Sequence, residues 1–262
     1  MIQIDGLSRI AEGKTKIVYE NPEDENTVYL FFKDDITAGD GLKHDVIQGK
    51  AILDWQVSRD CFEYLNRVGV PTHYISSPQE RVFLVKKLDR KIDLEVVSRR
   101  VATGSIVQWR GDEEGMRFDP VITQFHYKDD PLHDPMLDDR YVDYLIEAKG
   151  SQEYARMRQL NAEIIVHLER AFAHFNIQLI DIKLEYGIIE DQVHLIDEIS
   201  GGSFRLWPYR RSNPDLAQPN IIEELDPEGR LDKDLYRMGK DLDEVLSKFA
   251  VIATITEGFK DL

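Results

Sequence analysis

Residues 178–199 read QLIDIKLEYGIIEDQVHLIDEI, and their spacing decides how the rest of the chain can be arranged. Two apolar runs rich in β-branched residues flank Glu190-Asp191, a polar pair suited to a tight turn, so the stretch predicts a β-hairpin. Side chains two apart on a strand share a face, which puts Asp181, Lys183 and Glu185 on one side and Ile182 and Leu184 on the other. Asp197 closes the returning strand, where it can converge with Glu185. Such a face is either solvated or turned on a ligand, and the spacing fits both. In the second case two hard carboxylates suit Mg2+, which takes one or two carboxylates and completes its shell with phosphate and water. Lys183 between them would neutralise charge on a transferring phosphoryl group.

The chain continues as DEISGGSFRLWPY over residues 197–209. An acid pair, Asp197-Glu198, precedes a bend with two glycines, Gly201 and Gly202, and then Phe204-Arg205-Leu206-Trp207. Strand, acid pair, bend and arginine is an order in which a metal and an anion are often held together.

Composition narrows the classes around this hairpin. The chain has 262 residues, 42% hydrophobic and 31% charged, which suits one large domain or two lobes with an ample core. No run of 18 apolar residues predicts a transmembrane helix, and MIQIDGLSRI lacks the basic and apolar regions of a secretory signal. Cys61 is the single cysteine, so no intrachain disulfide can form; this fits a reducing, cytoplasmic setting. A net charge of −16 argues against a general nucleic-acid role, because counterion release needs clustered Lys and Arg. Phosphates, if bound, must meet a few cations concentrated inside a site.

Upstream, residues 8–33 read as strands (KIVYE, TVYLFF) around the turn NPEDEN, and residues 44–68 as a helix burying Val46, Ile47, Ile52, Trp55, Val57 and Leu65. THYISS, RVFLVKKL and LEVVSRRVA predict further strands. From 151, Met157, Leu160, Ile164, Leu168, Phe172 and Phe175 recur at helical spacing, with Ser151 as N-cap. A polar, Pro-containing loop over 208–227 precedes a last helix, Asp232 to Phe249. The expected fold class is α+β in two lobes: residues 1–88 β-rich, residues 89–262 a larger α+β unit, with ligands between them.

Three loops carry further candidates. AEGKTKIVYE places Gly13, Lys14 and Lys16 at a strand entry; a glycine lets backbone approach phosphate and the lysines supply charge, although a GK pair alone is more often a solvated turn. FFKDDITAGDG sets Asp34, Asp35 and Asp40 among Gly39 and Gly41, either a functional loop or a polar one with a helix cap. YKDDPLHDP holds Lys128, Asp130, His133 and Asp134 in a loop whose plainer reading is turn chemistry around Pro131 and Pro135.

Taken together, EGKTK, KDDITAGDG, LVKKLD, EVVSRRVATGS, KDDPLHDP, LIDIKLEYG and DEIS…SFRLW resemble the SAICAR synthetase family in order and spacing over most of residues 10–240. The resemblance implies a two-lobe fold whose N-terminal lobe is akin to that of protein kinases and ATP-grasp enzymes. It implies an ATP-dependent ligase that activates the carboxylate of an aminoimidazole ribonucleotide as an acyl phosphate and joins it to the amine of L-aspartate. On that basis Gly13, Lys14 and Lys16 lie over the ATP phosphates, with Lys87 and Lys128 also on the nucleotide. Glu185 and Asp197 hold Mg2+, and Lys183, with Asp181, serves the reacting phosphoryl group. Arg99, Ser105 and Arg205 take the ribonucleotide's 5′-phosphate, Asp234 and Arg237 lie near the same substrate, and Asp40 and Asp134 line the cleft. The implied partners are ATP, an azole ribonucleotide and an amino acid, with neither nucleic acid nor membrane; a homodimer is compatible with them.

Two stretches depart from the family pattern. Gly201-Gly202 stand where Pro-Asp is usual, with Phe204 in place of a small residue and Pro208 in place of Asp. KAILDW replaces KG-x-x-NN, putting Asp54 and Trp55 where asparagines are usual. These changes predict a looser loop between Asp197 and Arg205 and altered handling of the amine, as in a paralogue acting on another azole or amine; drift is the plainer reading. Outside the ligase class stand a kinase-like phosphotransferase, which would release no free phosphate, and an inactive binding protein, against which Lys14, Lys183, Glu185 and Asp197 argue.

Overall fold

Strand β11, Ile177–Ile189, is the axis of the molecule, and its length is what allows one strand to serve several neighbours. In the computed structural model, which describes residues 2–38, 43–147, 152–208, 230, 231, 236, 239 and 241–262, thirteen strands and five α-helices are described. β1 (Arg9–Glu12), β2 (Lys16–Glu20), β3 (Thr27–Phe32), β6 (Tyr74–Gln79) and β7 (Val82–Lys86) form an N-terminal sheet in the order β1-β2-β3-β7-β6. β4 (Asp35–Ala38) and β5 (Lys43–Val46) pair as a separate hairpin. The second sheet runs β10-β9-β8-β11-β12, from β8 (Arg90–Val101), β9 (Arg117–Tyr127), β10 (Met136–Leu137) and β12 (Gln192–Ile196), while β13 (Phe204–Pro208) also pairs with β11.

The predicted hairpin is present, turning at Glu190 and Asp191, both at positive φ, the left-handed region that acidic turn residues tolerate. One edge of β11 pairs with β8. The other edge is shared: β12 takes residues 185–189 and β13 takes residues 177–182. Between leaving and returning to that edge the chain makes the Asp197–Ser203 bend, pinned where Lys183 N–H donates to Ser203 O at 2.8 Å.

Helix α4 (Gln152–His174) buries Met157, Leu160, Ile164, Leu168 and Phe172 as its periodicity predicted. Its Asn161 receives the Tyr186 hydroxyl at 2.7 Å and donates to Ser98, so this polar network seals the apolar side of β8 and β11. Helix α1 (Lys50–Arg67) packs on α5 (Leu242–Glu257); short α2 (Ser105–Arg110) and α3 (Asp139–Glu147) complete the described helices.

Some sequence expectations shift. Val46 is half exposed because residues 43–46 extend as β5 before the helix begins. The last described α-helix runs Leu242–Glu257, past the expected end at Phe249, and begins where the Asp241 carboxylate accepts from Asp243 N–H at 2.8 Å; most of residues 232–240 lie outside the described residues. Ser151 and most of residues 208–227 lie outside the described residues. No helix among the described residues is long and apolar enough to cross a membrane.

Candidate active site

The polar face of β11 collects the charged groups expected from sequence, in two clusters. At its N-terminal end Asp181 pairs in register with Arg99 of β8 and Arg205 of β13. Its Oδ2 accepts from Arg99 Nη1 at 2.9 Å and from Arg205 Nη1 at 2.6 Å. Arg99 also donates through Nε to Gln124 Oε1 at 2.7 Å and through Nη2 to Ser105 Oγ at 3.1 Å. Gly104, at φ +63°, lets the Arg205 guanidinium lie against the backbone; a Cβ there would meet Nη2 at 3.0 Å. Arg99, Ser105 and Arg205 are thus brought together. Asp181, expected to serve the reacting group with Lys183, is bonded to both guanidinium groups.

At the other end lysines and carboxylates alternate. Lys183 Nζ donates to Glu95 Oε1 at 2.6 Å, and Lys128 Nζ bonds Glu185 Oε1. Lys91 Nζ lies 2.9 Å from Glu185 Oε2. Lys16, buried at the start of β2, donates to Glu198 Oε2 at 2.7 Å and lies 3.1 Å from Asp197 Oδ1, tying the N-terminal sheet to the end of β12. Burial opposes charge on Lys183, but Glu95 and Glu185 outweigh it and hold the ammonium above its ordinary range. Burial and Asp197 push the Glu185 carboxyl up, yet Lys183, Lys128 and Lys91 bring it below the ordinary range. Asp197 is lowered likewise, Lys16 overcoming burial. Both carboxylates are therefore ionised in neutral solution.

Asp197 sits at φ +70°, near the buried ring of His73. Among the described residues no group of three or more His, Cys, Asp or Glu could hold a metal alone. Glu185 and Asp197 nevertheless fit Mg2+: they are hard and ionised, and Asp197 directly follows Ile196, the β12 residue paired with Glu185.

The remaining candidates spread around these clusters. Gly13 N–H donates to Lys16 O at 2.8 Å, closing a turn that leaves Lys14 exposed. Lys87 is exposed just past β7, between the two sheets in sequence. Asp134 Oδ1 accepts from Asp129 N–H at 2.8 Å and its carbonyl meets His126 Nδ1 at 3.0 Å, the turn chemistry that was the plainer reading. Asp40, Asp234 and Arg237 lie outside the described residues. Sequence reading gave no role to Glu95, Lys91 or Lys50, and named Glu198 only as half of the acid pair after the returning strand. Glu95 was detectable, since even spacing from Arg99 along a strand puts both on one face. Lys91 has the same spacing, but its nearness to Glu185 was not detectable, because it depends on a register shift between β8 and β11.

Comparison with known proteins agrees with this geometry. The family profile described as SAICAR synthetase matches residues 9–250. A protein of Herpetosiphon aurantiacus named phosphoribosylaminoimidazole-succinocarboxamide synthase is 36% identical, covering 97% of this chain and 98% of its own. The chain belongs to the SAICAR synthetase family. A crystal structure of phosphoribosylaminoimidazole-succinocarboxamide synthase from Ehrlichia chaffeensis superposes with a TM-score of 0.83 at 31% identity, covering 95% of this chain and 98% of that one. A SAICAR synthetase in complex with ADP gives 0.80 at 30%, covering 95% and 97%. As a member of the family, the chain is an ATP-dependent ligase that joins carboxyaminoimidazole ribonucleotide to L-aspartate.

Against the SAICAR synthetase pattern, parts of the two departures meet: Gly201 and the Lys50–Asp54 pair lie by the same Phe249 ring. The bend is tied down, not loose: Ser203 N–H donates to Ser200 O at 2.8 Å, and Ser200 N–H and Gly202 N–H reach Ser203 Oγ and Ser200 Oγ, each at 3.2 Å. A Cβ on Gly201 would meet Phe249 Cδ1 and Cε1 at 2.8 Å, so the ring of α5 occupies the space a side chain would need. Lys50 Nζ lies 5.9 Å from the same ring and bonds Asp54, while Ser58, next along that helix face, donates to Ile199 O at 3.0 Å. Trp55 points elsewhere, donating Nε1–H to Ser77 Oγ at 2.7 Å of β6. Gly201→Ala is therefore expected to cost about 1–3 kcal/mol from overpacking. Thermal melting should show the loss, and Phe249→Leu in the same chain should recover much of it; a Gly201→Ala protein melting like wild type would contradict the packing account.

Proposed function

We propose that the ligase reaction runs along the polar face of β11, with residues 1–88 as the ATP lobe and residues 89–262 completing the metal and substrate sites. The observation that carries this is the order along one strand: a paired-arginine cluster at Asp181 and an acid–lysine cluster at Glu185. Four strand residues span about 13 Å. That suits a ribonucleotide with its phosphate at one end and its reacting carboxylate at the other. Arg99, Ser105 and Arg205 hold the 5′-phosphate, the arginines through planar guanidinium forks that Asp181 keeps oriented. Gly13, Lys14 and Lys16 border the ATP phosphates, joined by Lys87 and Lys128. Glu185 and Asp197 hold Mg2+, which when bound offers positive charge to the phosphate oxygens.

The chemistry follows in two displacements. The substrate carboxylate oxygen attacks the γ-phosphorus and ADP leaves, giving an acyl phosphate. The neutral amine of L-aspartate then attacks the acyl carbon, the C–O bond to phosphate breaks, and the proton shed by nitrogen leaves with the phosphate. Lys183, kept cationic by Glu95 and Glu185, neutralises charge on the phosphoryl group as it moves. The testing assay measures phosphate release with carboxyaminoimidazole ribonucleotide crossed against amino acids, ammonia and no amine. One phosphate per amide, with kcat/KM highest for L-aspartate, is expected. A better amine than aspartate would revive the altered-amine reading, and ATP consumed without free phosphate would make the chain a phosphotransferase.

A further inference from the structure

Glu185 is 4% exposed, and its two oxygens are held differently. Oε1 accepts from Lys128 Nζ in a hydrogen bond. Oε2 has Lys91 Nζ at 2.9 Å, a close ion pair whose angles fall short of good hydrogen-bond geometry. The Lys91 side chain is 43% exposed, so its ammonium can exchange into water at small cost, whereas Glu185 cannot follow it.

The backbone is shaped to bring Lys91 there. Glu185 pairs with Glu95 and Gly187 pairs with Lys91, so five residues of β8 (91–95) run beside three of β11 (185–187). Gly187 permits the close approach: a Cβ on it would meet Leu88 Cδ1 at 3.2 Å and Arg90 O at 3.3 Å. The irregularity sets Lys91 opposite Gly187, near Glu185, where regular pairing would set it opposite Ile189.

We propose that Lys91 is a displaceable internal counter-ion: its ammonium occupies Glu185 Oε2, and a divalent cation must expel it to bind. It is a positioning residue, holding the carboxylate in place before metal and nucleotide arrive. This rests on the reading of Glu185 as a metal ligand.

The test is Mn2+ binding to the nucleotide-free protein, followed by the electron paramagnetic resonance signal of free Mn2+, for wild type, Lys91→Met, Lys91→Arg and Glu185→Gln. Removing the competing charge should tighten Mn2+ binding by at least about tenfold in Lys91→Met, given the strength of charge interactions near a protein surface. Lys91→Arg should stay within about threefold of wild type, because it keeps a cation. Mg2+ should also raise the melting temperature of Lys91→Met more than that of wild type, a readout independent of turnover. Unchanged Mn2+ affinity in a folded Lys91→Met, with binding lost in Glu185→Gln, would overturn the role of Lys91 and leave the metal ligand standing. Binding unaffected by Glu185→Gln would remove both. Should Lys91→Met not fold, Lys91→Gln serves the same comparison, since it too removes the charge.

Discussion

Turnover is expected to fall by more than about 10²-fold when Glu185 is replaced by Gln or Asp197 by Asn, with the fold kept. Each change is nearly isosteric and removes one anionic oxygen donor. In the protein both carboxylates are ionised by neighbouring lysines, so a neutral amide changes what the site offers a hard cation. The loss should not reflect unfolding. Glu185 lies among Lys91, Lys128 and Lys183, so Gln removes a buried negative charge and leaves partly exposed cations that water can solvate. Asp197 shares Lys16 with Glu198, which retains the pairing after Asp197→Asn. Circular dichroism and melting separate the two effects, and single-turnover assays across Mg2+ concentration locate the defect. Near wild-type rates in both variants at ordinary Mg2+ would show that the metal is held elsewhere.

The second large effect belongs to Arg205. Its replacement by Ala should weaken the ribonucleotide by about 2–4 kcal/mol, through loss of a charge-assisted contact in a closed cleft, while ATP binding changes little. Asp181 makes this a clean experiment: after Arg205→Ala its Oδ2 is still paired with Arg99 at 2.9 Å, so no buried carboxylate is abandoned. Removing Asp181 itself would loosen both guanidinium groups and blur the result. Calorimetric titration of both ligands reads the difference, and a substrate lacking its 5′-phosphate should bind mutant and wild type alike. Equal losses for ribonucleotide and ATP would move Arg205 out of the phosphate site.

Periodicity alone made the hairpin, its turn at Glu190-Asp191 and the shared face of Asp181, Lys183 and Glu185 legible, because a strand's two-residue repeat is a local property of the backbone. The apolar stripe of α4 was legible for the same kind of reason, its repeat being that of the helix. The family followed from seven short motifs in register, each weak alone.

What those residues do to one another was not legible. Asp181 reads as a third member of a catalytic row, and only strand pairing sets Arg99 and Arg205 on either side of it. Gly201 reads as freedom in a loop, but Phe249, distant in sequence, fills the space above it. Lys91 reads as one more surface lysine, and only the irregular pairing of β8 with β11 lays it on Glu185. The sequence by itself determined the central hairpin, the long amphipathic helix, the class of reaction and the residue types at hand, since these rest on local spacing and short motifs. The tertiary structure alone decided which charge meets which, because ion pairs and ring contacts join residues far apart in the chain, and no local repeat carries that information.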